Sequence, residues 1–352
     1  MRWILVLLFL LSSCVTYAAV PQRRFEWRGL HLDLSRHFFG PATLVRLMKR
    51  MSELELNYLH LHLTDGPGWR LQIRSFPKLT EVGAWRKLLP EGEWDWSKHE
   101  IGAHFTECYG GFYSWESMKK MVVIGRRYGI TLVPEIDMPG HFYAALVAYP
   151  ELALVPPPGC KLGKDVLAVD KPEVRAFARK VLDDVMEIFP AGTPIHLGGD
   201  EVDERLLSRE QQRDFMQEMV DYVKSKGYPA ITWDEAACNG VRGQWVMAWR
   251  GEQVERVLAL GMPVILCPNS HFYFDYPQRL EDARPGDHVI TPEMVRAYQV
   301  PDSPHVMGLQ GNLWTEHIRT EEELFYMAFP RAEALAEKCR AAQAPESRDG
   351  AE

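Results

Sequence analysis

Short apolar runs alternate with helix-period stretches eight times along this chain, and that count limits the fold more than any other feature. The runs fall at residues 29–34, 58–64, 130–136, 195–197, 230–233, 244–249, 263–266 and 305–309. Between them lie helical patterns. After Pro41, residues Leu44, Val45, Leu47, Met48, Met51 and Leu54 recur near the 3.6-residue period. Ser114 caps a second helix over residues 115–128, stopped by Gly129, and Ser208 caps another over 209–226, stopped by Gly227. Further helices are predicted over 172–189, 252–260, 292–298 and 321 to about 339. Apolar strands without polar alternation are strands covered on both faces, hence parallel. Eight of them select a closed (β/α)8 TIM barrel over an open sheet.

The 352 residues suit one such barrel, predicted as a single catalytic domain over residues 21–340 with a polar tail over 341–352. Residues 69–113, rich in Trp and Gly, lack periodicity, and loops of that length usually shape a site. A Pro/Gly-rich loop follows at 156–163. Residues 1–20 read as a secretory leader, too short in its apolar run to span a bilayer. The leader ends either at Cys14, in a lipobox-like Leu11-Ser12-Ser13-Cys14 that would carry a lipid anchor in a bacterial membrane, or by ordinary cleavage near Ala18 or Ala19. Export to the periplasm or cell surface is therefore expected. The five remaining cysteines are scattered and form no CxxC pair, so free thiols are favoured over a Cys108–Cys160 bridge. A net charge of −8 and the absence of a basic stripe argue against nucleic acid.

In a barrel of this kind the catalytic groups stand where strands end. Asp33 lies in the first strand, and His60 and His62 in the second, which ends at Asp65. The third ends in Glu135, Asp137 and His141, the fourth in Gly198-Gly199-Asp200-Glu201. Trp233, Trp249, Tyr273 with Asp275, and Trp314 with Glu316 follow the later strands. Adjacent side chains of a strand point to opposite faces, so Asp200 and Glu201 can share a pocket only if the glycines end the strand. Two crowded carboxyls can then be held in different protonation states, which suits glycosidic-bond cleavage. A plainer reading is available for each. Asp33 and Glu135 read best as buried groups paired with Arg or His. His60 and His62 read equally well as core histidines, and any one tryptophan is more often core than ligand-facing.

These stretches resemble the catalytic barrel of family 20 glycoside hydrolases, the β-N-acetylhexosaminidases. The likeness rests on Arg28-Gly29 through Asp33 with Ser35-Arg36-His37-Phe38, and on His60 to Asp65 with Trp69-Arg70. It continues through Gly110-Gly111-Phe112-Tyr113, Glu135 to His141, His196 to Glu201 and Gly311 to Glu316. The resemblance implies an exo-acting, retaining β-N-acetylhexosaminidase that releases terminal β-linked GlcNAc or GalNAc without metal or cofactor. Glu201 would be the general acid/base. Asp200 and Tyr273 would hold the substrate's 2-acetamido group, whose carbonyl attacks the anomeric carbon to give an oxazolinium intermediate. Trp233, Trp249 and Trp314 would box the sugar. Arg28, Asp275 and Glu316 would clamp its hydroxyls. Asp65, His141, His62 and Asp137 would orient and tune Glu201. The family often carries a small α/β domain before the barrel, and commonly an acidic residue where Gly66 stands.

Three other readings compete. A barrel metallohydrolase would use His60 and His62 with Asp137, His141 and Asp200. A surface glycan-binding protein would bind without turnover. A two-carboxylate retaining glycosidase would accept sugars lacking the N-acetyl group.

Overall fold

The computed structural model describes residues 25–90, 93–156 and 165–341. The predicted leader, Cys14, Cys160 and residues 342–352 of the predicted polar tail lie outside the described residues, and Ala341 ends the last helix. Cys108, Cys238 and Cys267 are free thiols.

Eight parallel strands close into a barrel. In chain order they are β1 (Trp27–Asp33), β2 (Tyr58–His62), β3 (Thr131–Glu135) and β4 (Ile195–His196), then β5 (Ala230–Trp233), β6 (Trp245–Ala248), β7 (Val264–Leu266) and β8 (Val306–Leu313). Each pairs with its chain neighbours, and β8 returns to β1. The helices pack outside. The Pro41–Glu53 helix buries Leu44, Leu47, Met48 and Met51, the stripe its period predicts. Ser114 and Ser208 cap their helices through side-chain acceptors, as expected.

Two expectations about element extent change. The eighth strand runs to Leu313, four residues past its predicted end, because Gln310 and Asn312 face a polar barrel interior that hydropathy does not report. The last predicted helix is two, Glu321–Ala328 and Arg331–Ala341, divided where Pro330 lacks the N–H that a continuous helix needs. The aperiodic 69–113 stretch holds the hairpin pairing of Trp85–Lys87 with Cys108–Gly110.

Strand alternation sorts β1 and β2. Leu30, Leu32, Leu59 and Leu61 join the core beneath the helices, while His31, Asp33, His60 and His62 turn inward. Parallel register sets Asp33 beside His62, His62 beside Glu135 and Glu135 beside His196. A ring of buried ionisable groups therefore lies across the barrel near the C-terminal ends of its strands.

Candidate active site

Glu135 is the hub of that ring. Its carboxylate accepts from the Trp233 indole N–H at 2.9 Å and from His62 Nδ1 at 2.5 Å, with His60 Nε2 at 3.1 Å and His196 Nδ1 at 2.9 Å. Burial alone would favour the neutral acid, but the surrounding imidazoles outweigh it and hold Glu135 well below the usual carboxylate range. Asp33 accepts from the backbone N–H groups of Ser35, Arg36 and Thr315. Both residues are thus the paired structural groups their sequence suggested.

From this ring a chain of contacts runs outward. His62 Nε2 donates to Asp65 Oδ2 at 3.0 Å, and His141 Nδ1 stands 3.1 Å from the same oxygen. His141 Nε2 faces Glu201 Oε2 at 3.6 Å. Burial opposes charge on His141, yet Asp65 and Asp137 prevail and raise its pKa well above the ordinary value. Asp65 is held well down despite its burial, by Arg36 and His141.

The fourth strand ends as the two glycines require. Gly198 and Gly199 take φ of +70° and +94°, and a Cβ on Gly198 would meet Asp137 Oδ1 at 1.6 Å. Glu201 itself has φ of +50°, and its side chain is 59% exposed. Its neighbour Asp200 turns the other way and is buried, with Oδ1 unpartnered. Burial, reinforced by Asp137 and Glu201, pushes the Asp200 carboxyl well above the carboxylate range. One carboxyl is therefore exposed and its neighbour buried.

Trp314, Tyr273, Trp249 and Trp233 form an aromatic cluster, and Tyr273 feels the charge of Asp200. Tyr273 lies 6.1 Å from Trp249 and 6.2 Å from Trp314 between ring centroids, and Trp233 lies 6.1 Å from Trp314. Trp249 is oriented by its N–H bond to Glu235, and Trp233 is the buried floor. Burial keeps the Tyr273 phenol protonated. Burial and the nearby Glu316 push Asp275 up to about 8.

Arg28 is displaced from its expected role. It precedes the barrel's first turn, at the N-terminal end of β1, where its guanidinium donates to the carbonyls of Glu55 and Phe25. The arginine at the C-terminal end is Arg36, which sequence reasoning passed over. It is buried, 2.7 Å from Asp65, 3.6 Å from Asp33 and 3.7 Å from Glu316. Its guanidinium lies 4.9 Å from the Trp314 ring centre and 5.2 Å from that of Trp96. The signal was present: Arg36 follows the strand whose end Asp33 marks, whereas Arg28 opens it. Tyr143, Asp165 and Trp96 were also missed; with Glu201, His141, Arg36 and Glu316 they line a cavity of about 510 Å³.

Asp137, His141 and Asp200 bring one potential ligand atom each within 4.8 Å of one another. His62 with Asp65 and Asp137, and His60 with His31 and Glu135, form two further such groups, and both rings also engage Glu135 inside the barrel.

A family model, "Glycosyl hydrolase family 20, catalytic domain", matches residues 25–342. A β-hexosaminidase of Akkermansia muciniphila is 31% identical over 89% of this chain and 68% of its own length. One from Porphyromonas gingivalis is 33% identical over 89% of this chain, which spans only 43% of that protein. Among solved structures, the exo β-N-acetylglucosaminidase of Vibrio harveyi in complex with N-acetylglucosamine superposes with a TM-score of 0.78 at 29% identity. The superposition covers 93% of this chain and 55% of that one. A mutant Streptomyces plicatus β-hexosaminidase in complex with GlcNAc gives 0.76 at 30% identity, over 90% and 65%.

Proposed function

This chain belongs to glycosyl hydrolase family 20, and from that premise we propose that it is an exo-acting, retaining β-N-acetylhexosaminidase. Its substrate is a carbohydrate with a terminal, non-reducing β-linked GlcNAc or GalNAc. The observation that carries the reading is the division of labour at the end of β4. Glu201 is exposed and lines the open cavity, whereas Asp200 beside it in sequence is buried with its carboxyl pushed up.

Glu201 gives its proton to the leaving oxygen as the glycosidic bond breaks, and then takes one from the attacking water. The two strokes have opposite needs, and His141 connects Glu201 to Asp65, whose charge is pinned by Arg36. The nucleophile is the substrate's own acetamido oxygen. As that oxygen closes on the anomeric carbon, positive charge grows on the amide nitrogen. Asp200 is poorly solvated as an anion in its buried site, so it releases its proton to solvent only as the acetamido N–H comes to donate to it, and the cation then forming on that nitrogen stabilises the carboxylate. The Tyr273 phenol, kept protonated by burial, donates to the acetamido oxygen and aims it. Trp249 and Trp314 cover the apolar faces of the methyl and the ring, and Arg36, Asp275 and Glu316 take the ring hydroxyls. Arg36 and Glu316 line the same cavity as Glu201, and a clamp on the hydroxyls of the terminal ring admits only a chain end. Export, with residues 1–20 removed as a leader, belongs to the same proposal; the N-terminus of the mature protein, read by mass spectrometry, tests it.

The test of function is hydrolysis of an aryl β-N-acetylglucosaminide by the unmodified protein and by Glu201→Gln. Turnover that the substitution abolishes supports the reading. Equal rates remove Glu201 from its role, and sugar binding without turnover replaces the enzyme with a binding protein.

A further inference from the structure

Gly66 and Trp96 are left over by the scheme above, and they lie together. Gly66 follows Asp65 directly and has no positive φ, so its backbone would admit any residue. A Cβ there would meet Tyr143 Cβ at 3.7 Å and the Trp96 ring at 3.9 Å, ordinary contact distances. What the glycine supplies is therefore empty space between two aromatic side chains. A large aromatic is normally buried, but Trp96 is 52% exposed. Its position is nonetheless fixed. Trp94 packs edge-on at 5.3 Å, His99 lies 5.9 Å away, and the Arg36 guanidinium sits 5.2 Å from the ring centre. Exposed and held, the ring shares the 510 Å³ cavity with Glu201, the group that marks the scissile oxygen.

In an exo-acting site the terminal sugar fills the closed end, so the chain beyond the bond leaves by the open side. Two cavities flank Glu201 there. One, of about 410 Å³, is lined by Arg209, Arg250, Arg256, Glu204 and Glu235 and presents no aromatic face. The other, about 510 Å³ and so large enough for more than the terminal ring, holds Arg36 and Glu316 of the hydroxyl clamp with Glu201, and offers Trp96 and Tyr143 across a bare Gly66. A pyranose has apolar C–H faces and a polar rim, and an aromatic platform flanked by hydrogen-bonding groups complements both. Resting on the reading of this site as a hexosaminidase, we propose that Trp96 is the platform for the sugar on the leaving side of the scissile bond. The enzyme is then built for oligosaccharides whose penultimate residue is a pyranose with an unhindered face, and Gly66 keeps room for that ring.

The experiment compares N,N′-diacetylchitobiose, whose leaving group is a sugar, with 2-acetamido-2-deoxy-β-glucosyl fluoride, whose leaving group is a single atom. For Trp96→Ala, kcat/KM on the disaccharide should fall about tenfold more than on the fluoride, chiefly through KM, a ratio that corresponds to about 1.4 kcal/mol. Trp96→Tyr should recover most of it. Gly66→Asp should lower the same ratio by filling the space, and Arg256→Ala in the other cavity should leave it unchanged. Equal losses on both substrates, no loss on either, or the discriminating loss in Arg256→Ala instead would overturn the assignment. Failure of the unmodified protein to hydrolyse the fluoride would bring down the hexosaminidase reading itself, which none of the Trp96 outcomes does.

Discussion

The two rims of the barrel carry cavities of similar size and opposite character. At the N-terminal rim, about 460 Å³ is lined by Phe25, Trp245, Pro263, Pro304, Val306 and their neighbours, with Glu26 and His305 the only ionisable side chains among the described residues. At the C-terminal rim, about 510 Å³ is lined by Arg36, Asp65, His99, His141, Asp165, Glu201 and Glu316. The same contrast separates the two arginines of the first strand. Arg28, at the N-terminal rim, spends its donors on backbone carbonyls. Arg36, at the other, is clasped by three carboxylates and faces the site. Volume does not distinguish these rims. What does is buried charge kept in place by other charges, which makes chemistry available only where the strands end.

Substitutions can break that contrast. The largest effect is expected at Glu201. Glu201→Gln should lower kcat on a sugar aglycone by about 10²–10⁴-fold, the range for general acid–base groups, and by less on a substrate whose leaving group needs no proton. Asp200→Asn comes next, with a loss of about 10²–10³-fold in kcat and little change in stability, as for removal of an electrostatic stabiliser. Both are read from steady-state rates beside thermal melts.

The arginine pair tests the contrast itself. Arg36→Lys keeps the charge but loses the fork that spans its carboxylate partners, and should cost about 100-fold in kcat/KM, the scale of a positioning defect. Arg28→Ala should leave kcat/KM within about twofold and lower stability by about 1 kcal/mol, the usual worth of a hydrogen bond. A reversal of the two would return the hydroxyl clamp to the wrong rim. A smaller effect concerns pH. Asp275 is protonated below its pKa of about 8, raised by burial and by Glu316. As pH rises through that value it ionises against Glu316, so kcat/KM should decline there, and Asp275→Asn should remove that limb of the profile.

The barrel could be read from the sequence because its apolar runs are short, separate and eight in number. The Asp200–Glu201 site could be read because two glycines leave adjacent carboxyls no regular strand to sit on. Arg28 misled because a motif was matched without asking which end of the strand it occupied; counting outward from Asp33 gives Arg36. Gln310 and Asn312 hid the length of the last strand, since polar residues lining a barrel interior look like a loop by hydropathy. Trp96 was invisible for another reason. Its stretch has no period, and only the fold brings residues 66, 96 and 143 together.

The central claim is that Glu201 supplies the proton while the substrate's own amide supplies the nucleophile, held by Asp200 and Tyr273. It is tested most directly with aryl β-glucosaminides bearing N-acetyl, N-fluoroacetyl, N-difluoroacetyl and N-trifluoroacetyl groups. Each fluorine withdraws electrons from the carbonyl oxygen and weakens it as a nucleophile, so kcat should fall steeply along the series. A kcat indifferent to fluorination would mean that the amide does not attack, and would contradict the account.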